Sequence, residues 1–80
     1  MYCLSKDKRR IVNTEKFSIN TTIGAEAFHV DSTVENIHKK YYAIIAEDTI
    51  MEIFNTEQEA KTKLLTILDA LSKNVTVFEF

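Results

Sequence analysis

The stretch from Thr56 to Asn74, TEQEAKTKLLTILDALSKN, constrains the fold more than any other, because its start, middle and end all signal one element. Thr56 with Glu59 three residues on makes a capping box, in which the Thr hydroxyl takes the Glu59 amide and the Glu carboxylate returns to the Thr56 amide. Glu57 and Glu59 in the first turn and Lys73 in the last oppose the helix macrodipole in the favourable sense. Ala60, Leu64, Ile67, Leu68 and Leu71 follow the i, i+4, i+7, i+8, i+11 rhythm of one buried stripe, while Lys61, Lys63, Thr66 and Asp69 fall on other faces. Asn74 tolerates a left-handed backbone and suits the stop. The spacing predicts one long helix from Thr56 to Ser72, which needs a surface to lie on.

That surface has to come from the other residues. Tyr2-Cys3-Leu4-Ser5 and Arg10-Ile11-Val12-Asn13 are short β-prone runs on either side of Lys6-Asp7-Lys8-Arg9, a polar stretch of hairpin-loop length. Thr14 to Phe17 forms a second bend, and Phe17-Ser18-Ile19 alternates as a continuing strand. Ala25 to Val30 alternates too and reads as a strand after a turn at Gly24. Asp31 to Lys40 accommodates either a turn or two of helix, since Ser32 and Glu35 repeat the capping-box pattern, or a loop. Tyr41-Tyr42-Ala43-Ile44-Ile45-Ala46-Glu47, a two-residue turn at Asp48-Thr49 and Ile50-Met51-Glu52-Ile53-Phe54 form the clearest hairpin. Val75 to Phe80 is a last strand.

The expectation is an α+β fold with a single domain over residues 1–80: an antiparallel meander of five or six short strands, the helix packed on one face, and the C-terminal strand returning to the sheet. The expected core is Leu4, Ile11, Val12, Phe17, Ile44, Ile53, Leu64, Ile67, Leu68, Leu71 and Val77.

Composition narrows the function classes. A hydrophobic fraction of 45% with 28% charged residues excludes a disordered chain. No apolar run approaches the roughly 20 residues of a membrane span. The opening runs from apolar to basic, the reverse of a secretory signal, and one cysteine forms no internal disulfide, so a cytoplasmic setting is expected. Residues 1–40 carry seven Lys/Arg against five Asp/Glu and residues 41–80 carry three against seven, so neither half is as basic as a dedicated nucleic-acid domain. With no Pro and one Gly, the chain has no linker, and it has no Gly-rich phosphate loop.

Tyr2, Ser5, Asp7, Lys8, Ile11, Val12 and Asn13 at the start, Phe54 to Ala60 with Leu64 to Leu71, and Val77 to Phe80 together resemble a group of short uncharacterised proteins of low-GC Gram-positive bacteria and their phages. The similarity covers both ends, about half the chain, and departs from the group at Tyr2, where Trp is usual. It implies a cytoplasmic, often prophage-associated protein and brings no activity with it.

Four sets of residues are candidates for chemistry or binding. Cys3, His29 and His38 are the soft or nitrogen ligands, but no paired metal spacing links them, so no metal or cofactor is expected, and Cys3 reads as a small buried side chain. Lys6, Lys8, Arg9 and Arg10, with Tyr41 and Tyr42, combine phosphate-neutralising and base-stacking groups as single-stranded nucleic acid requires; a solvated tip protecting a strand edge accounts for the same cations. Glu47, Asp48, Glu52, Glu57 and Glu59 make an acidic set that could imitate nucleic-acid phosphates to a protein partner. Val75, Val77, Phe78 and Phe80 put apolar groups on both faces of the last strand, which is then either central or added to the edge of another sheet or subunit, as in a homodimer. A domain of this size is also expected to leave little concave surface. The resulting expectation is a non-enzymatic, mobile-element protein-binding module that occupies a partner's surface, a host defence nuclease in its specific form. The alternative is a single-stranded nucleic-acid-binding accessory protein.

Overall fold

A computed structural model describes the backbone of residues 1–30 and 33–80, and the side chains of residues 1–22 and 40–80. The elements run β1 (Tyr2–Leu4), β2 (Ile11–Asn13), β3 (Phe17–Val30), β4 (Thr33–Ala46), β5 (Thr49–Phe54), α1 (Glu57–Ser72) and β6 (Val77–Glu79). The fold is α+β, with the helix packed on a sheet and a strand at the C-terminus. Rather than one continuous meander, the strands form two three-stranded sheets, ordered β2-β1-β6 and β3-β4-β5. The break falls at Thr14 to Lys16, where the Thr14 hydroxyl accepts the Lys16 amide at 3.0 Å and donates to Glu47 Oε1 at 2.8 Å. β6 enters parallel to β1, Tyr2 opposite Val77 and Leu4 opposite Glu79.

The helix starts where its cap dictates. Thr56 is extended (φ −127°, ψ 149°) and its hydroxyl accepts the Glu59 amide at 3.2 Å. Asn74 takes the left-handed conformation (φ 55°) just beyond the Lys73 cap. The buried stripe, however, is rotated from the expected one. Ala60, Ile67 and Ala70 are buried and Leu64 and Leu71 pack beside them, but Leu68 is 60% exposed. Small alanines let the helix backbone approach the sheet on their side, turning Leu68 outward.

Three further local expectations are corrected. Gly24 makes no turn: β3 passes straight through it, paired to Lys39. The segment after Asp31 is strand from Thr33 on, because fourteen successive rungs with β3 outweigh a local capping pattern. The second hairpin turns at Glu47 and Asp48 (φ 47° and 64°), one residue earlier than expected, and a bulge lies between Ile44 and Ile45. Ile44 pairs with Glu52 and Ile45 with Ile50, so Met51 is the extra residue that interrupts the in-and-out alternation of β5: Met51 is buried, whereas Ile53, two residues on, is exposed. Ile11 and Val77 also face outward, at 71% and 59% exposure, because Val12 and Phe78 take the inner positions of their strands.

One cluster joins both sheets to the helix: Cys3, Ile44, Ala46, Met51, Ile67 and Phe80, with Val12, Phe17, Ile19, Phe54, Leu64, Leu71 and Phe78 packed against it. Ser5 is buried as well, but satisfied: its hydroxyl donates to Asp7 at 2.6 Å and accepts the Arg10 amide at 3.1 Å. The Lys6 amide then bonds the Met51 carbonyl at 2.8 Å and ties the two sheets together.

β5 pairs only with Tyr42 to Ala46 of β4, so the rungs from Thr22·Tyr41 to Val30·Thr33 extend beyond it as a two-stranded ribbon. The molecule is accordingly 53 × 25 × 16 Å, with a radius of gyration of 15.4 Å, against about 12 Å for a compact chain of this length. Among the described residues, no helix is long and apolar enough to cross a membrane.

Candidate functional site

Rotation of the helix leaves more apolar surface than the sheet covers. Leu64, Leu65, Leu68 and Leu71 project from two turns of α1 beside Phe17 of β3 and line an open groove of about 460 Å³. Leu65 and Leu68 are 65% and 60% exposed. Its charged liners are Glu15 and Lys61, one of each sign. A second concavity of about 470 Å³ lies on the polar side of the helix, between Glu52, Phe54, Gln58, Glu59 and Lys63. Concave surface is therefore present, contrary to the expectation from size alone. The first groove is suited to apolar contact, since its wall is leucine and phenylalanine.

Lys63, expected away from the Ala60 to Leu71 stripe, is in fact half-buried between the helix and both sheets. Its Nζ lies 3.7 Å from Glu52 Oε1, and 5.5 Å and 5.6 Å from the ring centres of Phe78 and Phe80. The two rings meet edge to face, with centres 5.1 Å apart. Glu52 Oε1 is buried and accepts no hydrogen bond in the described structure, so the ammonium is the group that balances it. The signal for this site lay in the i, i+4, i+7 spacing of Lys63, Ile67 and Ala70, which places Lys63 on the buried stripe.

The acidic set is not one patch. Glu47 and Asp48 form the β4–β5 turn, whereas Glu57 and Glu59 stand at the helix start beyond the opposite end of β5, about 20 Å of strand away. Glu47 accepts from Thr14, Glu52 faces Lys63, and Glu57 pairs with Lys61 at 3.2 Å.

The basic turn is ordered by its own polar groups. Asp7 accepts from the Ser5 hydroxyl and the Arg9 amide, and these bonds, with Arg9 and Arg10 nearby, hold its carboxyl below the usual value of 3.8. Lys6, Lys8, Arg9 and Arg10 are all exposed, and none is in an ion pair among the described residues. Tyr42 is opposite Phe54, three residues along β5 from the carbonyl that anchors this turn; that is about 10 Å of strand. The turn and the tyrosine rung are thus neighbours without being one surface.

Cys3 is fully buried, and burial pushes its thiol above the ordinary 9.0, against the pull of the N-terminal ammonium. The side chains of His29 and His38 lie outside the described residues. Among those described, no group of three His, Cys, Asp or Glu side chains could hold a metal ion. Of the terminal residues, Phe80 is buried and Phe78 half-buried on the inner face, while Val75 and Val77 are exposed at 38% and 59%.

Fold and groove together define a small α+β protein with a leucine-lined surface on α1, the one helix among the described residues. Comparison with protein-family models, with curated proteins and with solved structures finds no match.

Proposed function

We propose that this is a small, non-enzymatic binding module that acts in the cytoplasm by occupying the surface of a partner protein, with the leucine groove of α1 as the contact. The observation that carries this reading is the exposure of Leu65 and Leu68 beside Leu64, Leu71 and Phe17. Contiguous apolar surface of this kind on a small domain is costly in water and marks interaction sites. Two turns of helix, about 10 Å, match an amphipathic helix of the partner laying apolar side chains into the groove. The resemblance at both chain ends to phage-type proteins supports a host protein as that partner, a defence nuclease in the specific form.

The test compares proteins captured from a bacterial lysate by the wild type and by a Leu65→Lys/Leu68→Lys variant. Both sites are exposed, so the variant should melt like the wild type. A partner bound by the first and lost by the second, and rebound when purified, supports the reading. Equal capture by both overturns it. For the nuclease form, inhibition should survive neutralisation of Glu47 and Asp48, which lie apart from the helix.

A second reading, binding of single-stranded nucleic acid, is favoured by one observation: four exposed cations on an internally braced turn, Lys6, Lys8, Arg9 and Arg10. Binding of an oligothymidylate should then weaken steeply with salt as counterions are released. A flat salt dependence removes this reading.

A further inference from the structure

β6 ends its sheet, with β1 on one side and no strand on the other among the described residues. The Tyr2 amide donates to the Thr76 carbonyl at 2.8 Å, and the Phe80 amide donates to the Leu4 carbonyl at 3.0 Å. The ladder to β1 therefore uses the backbone of Thr76, Phe78 and Phe80. Alternation along a strand then turns the N–H and C=O groups of Val77 and Glu79 away from β1, toward the open edge. Natural edges are commonly protected by Lys, Pro or a bulge. Residues 75–80, VTVFEF, contain no Lys or Pro, and the register with β1 is regular.

We propose that a second copy of this chain pairs with this edge, antiparallel, about a two-fold axis at Phe78. Val77 then lies opposite Glu79 of the second copy and Glu79 opposite its Val77. Both rungs are of the hydrogen-bonded kind, so each exchanges two N–H···O bonds and every outward amide of β6 is satisfied. The Phe78 side chains meet on the inner face, where each ring already packs against Phe80. The two sheets merge into one, ordered β2-β1-β6-β6-β1-β2.

Two observations select this register. Glu79 is the one charged residue of β6, and an axis at Glu79 would set like charges against each other. An axis at Val77 would require the Val75 amide, which is already committed to the Ala70 carbonyl at 3.0 Å. The axis at Phe78 avoids both. This pairing is independent of the leucine groove, which shares no residue with β6.

Sedimentation equilibrium of the wild type, Val77→Glu and Val77→Lys tests the register. Val77 is 59% exposed, so both variants should keep the wild-type melt when dilute. In the proposed pairing the new Glu meets Glu79 of the second copy and the new Lys forms an ion pair with it. Val77→Glu should therefore dimerise at least about tenfold more weakly than Val77→Lys, which should match or exceed the wild type. Amide exchange of Val77 and Glu79 should slow with protein concentration, while that of Phe78 is slow throughout. A wild type that remains monomeric at millimolar concentration overturns the proposal, and so does an equal effect of the two substitutions.

Discussion

The Lys63 ammonium stands 3.7 Å from the Glu52 carboxylate, with both side chains less than a third exposed and two phenylalanine rings against the cation. The pair joins α1 to β5 at the point where β6 closes over the core. Removing the cation leaves a largely buried carboxylate with no hydrogen-bond donor. Lys63→Met should therefore cost about 1–2 kcal/mol, and the double variant Lys63→Met/Glu52→Leu should cost less than the two single losses combined. Thermal melts of the four proteins check this, and strictly additive losses would show that the pair is energetically silent.

Ile67 and Leu68 are adjacent on the helix, yet their burial differs, at 1% and 60% exposure. Ile67→Ala should cost about 3 kcal/mol through lost burial and a cavity. Leu68→Ala should change stability by less than about 0.5 kcal/mol. Urea titrations distinguish them, and comparable losses would place the helix face wrongly.

Glu47 and Asp48 both sit at positive φ without being glycine. Asp48→Gly relieves the steric cost of the left-handed region and leaves the Thr14 to Glu47 hydrogen bond in place, so it should raise stability by up to about 1 kcal/mol. A lower Tm for this variant would mean that the Asp48 side chain stabilises the turn in another way.

Asp7 titrates below its ordinary 3.8, chiefly because it accepts the Ser5 hydroxyl. A carboxylate lowered in the folded state contributes stability that is present above pH 3.8 and lost as pH falls through its folded value. Asp7→Asn should flatten that acid limb in pH-dependent melts. An unchanged limb would assign the loss to other carboxylates.

Cys3 has the opposite sign. Burial raises its thiol above 9.0, so its contribution is complete below that pH and is lost as pH rises through the folded value. At neutral pH a disulfide reagent should modify Cys3 only at the rate of chain opening, and denaturant should accelerate the reaction. Immediate labelling of the native protein would contradict its burial.

The helix is legible in the sequence because several local signals agree on it, whereas a lone Gly24 or a lone capping pattern is not enough, since β3 and β4 run on as strands. The Thr56 cap, the helix to Ser72 and the left-handed Asn74 each depend on a few consecutive residues, and all three are present. Strand faces are less legible. Ile53 and Val77 are expected in the core yet face outward, because the bulge in β5 and the neighbours of an edge strand decide their faces, and neither is encoded by periodicity alone. The candidate groove was half legible: Leu64 and Leu71 were expected to be apolar helix positions, but nothing in their spacing indicated that Leu68 would lie outside the covered arc.

The amino-acid sequence alone determined that one helix begins at Thr56 and which residues favour strand, since these follow from backbone and side-chain preferences within a few residues. Tertiary structure decided which face of that helix is covered, that β6 lies beside β1 rather than the hairpin, and that Lys63 meets Glu52. Those outcomes rest on contacts between residues far apart in the chain, whose close packing is settled only when all the elements compete for the same core.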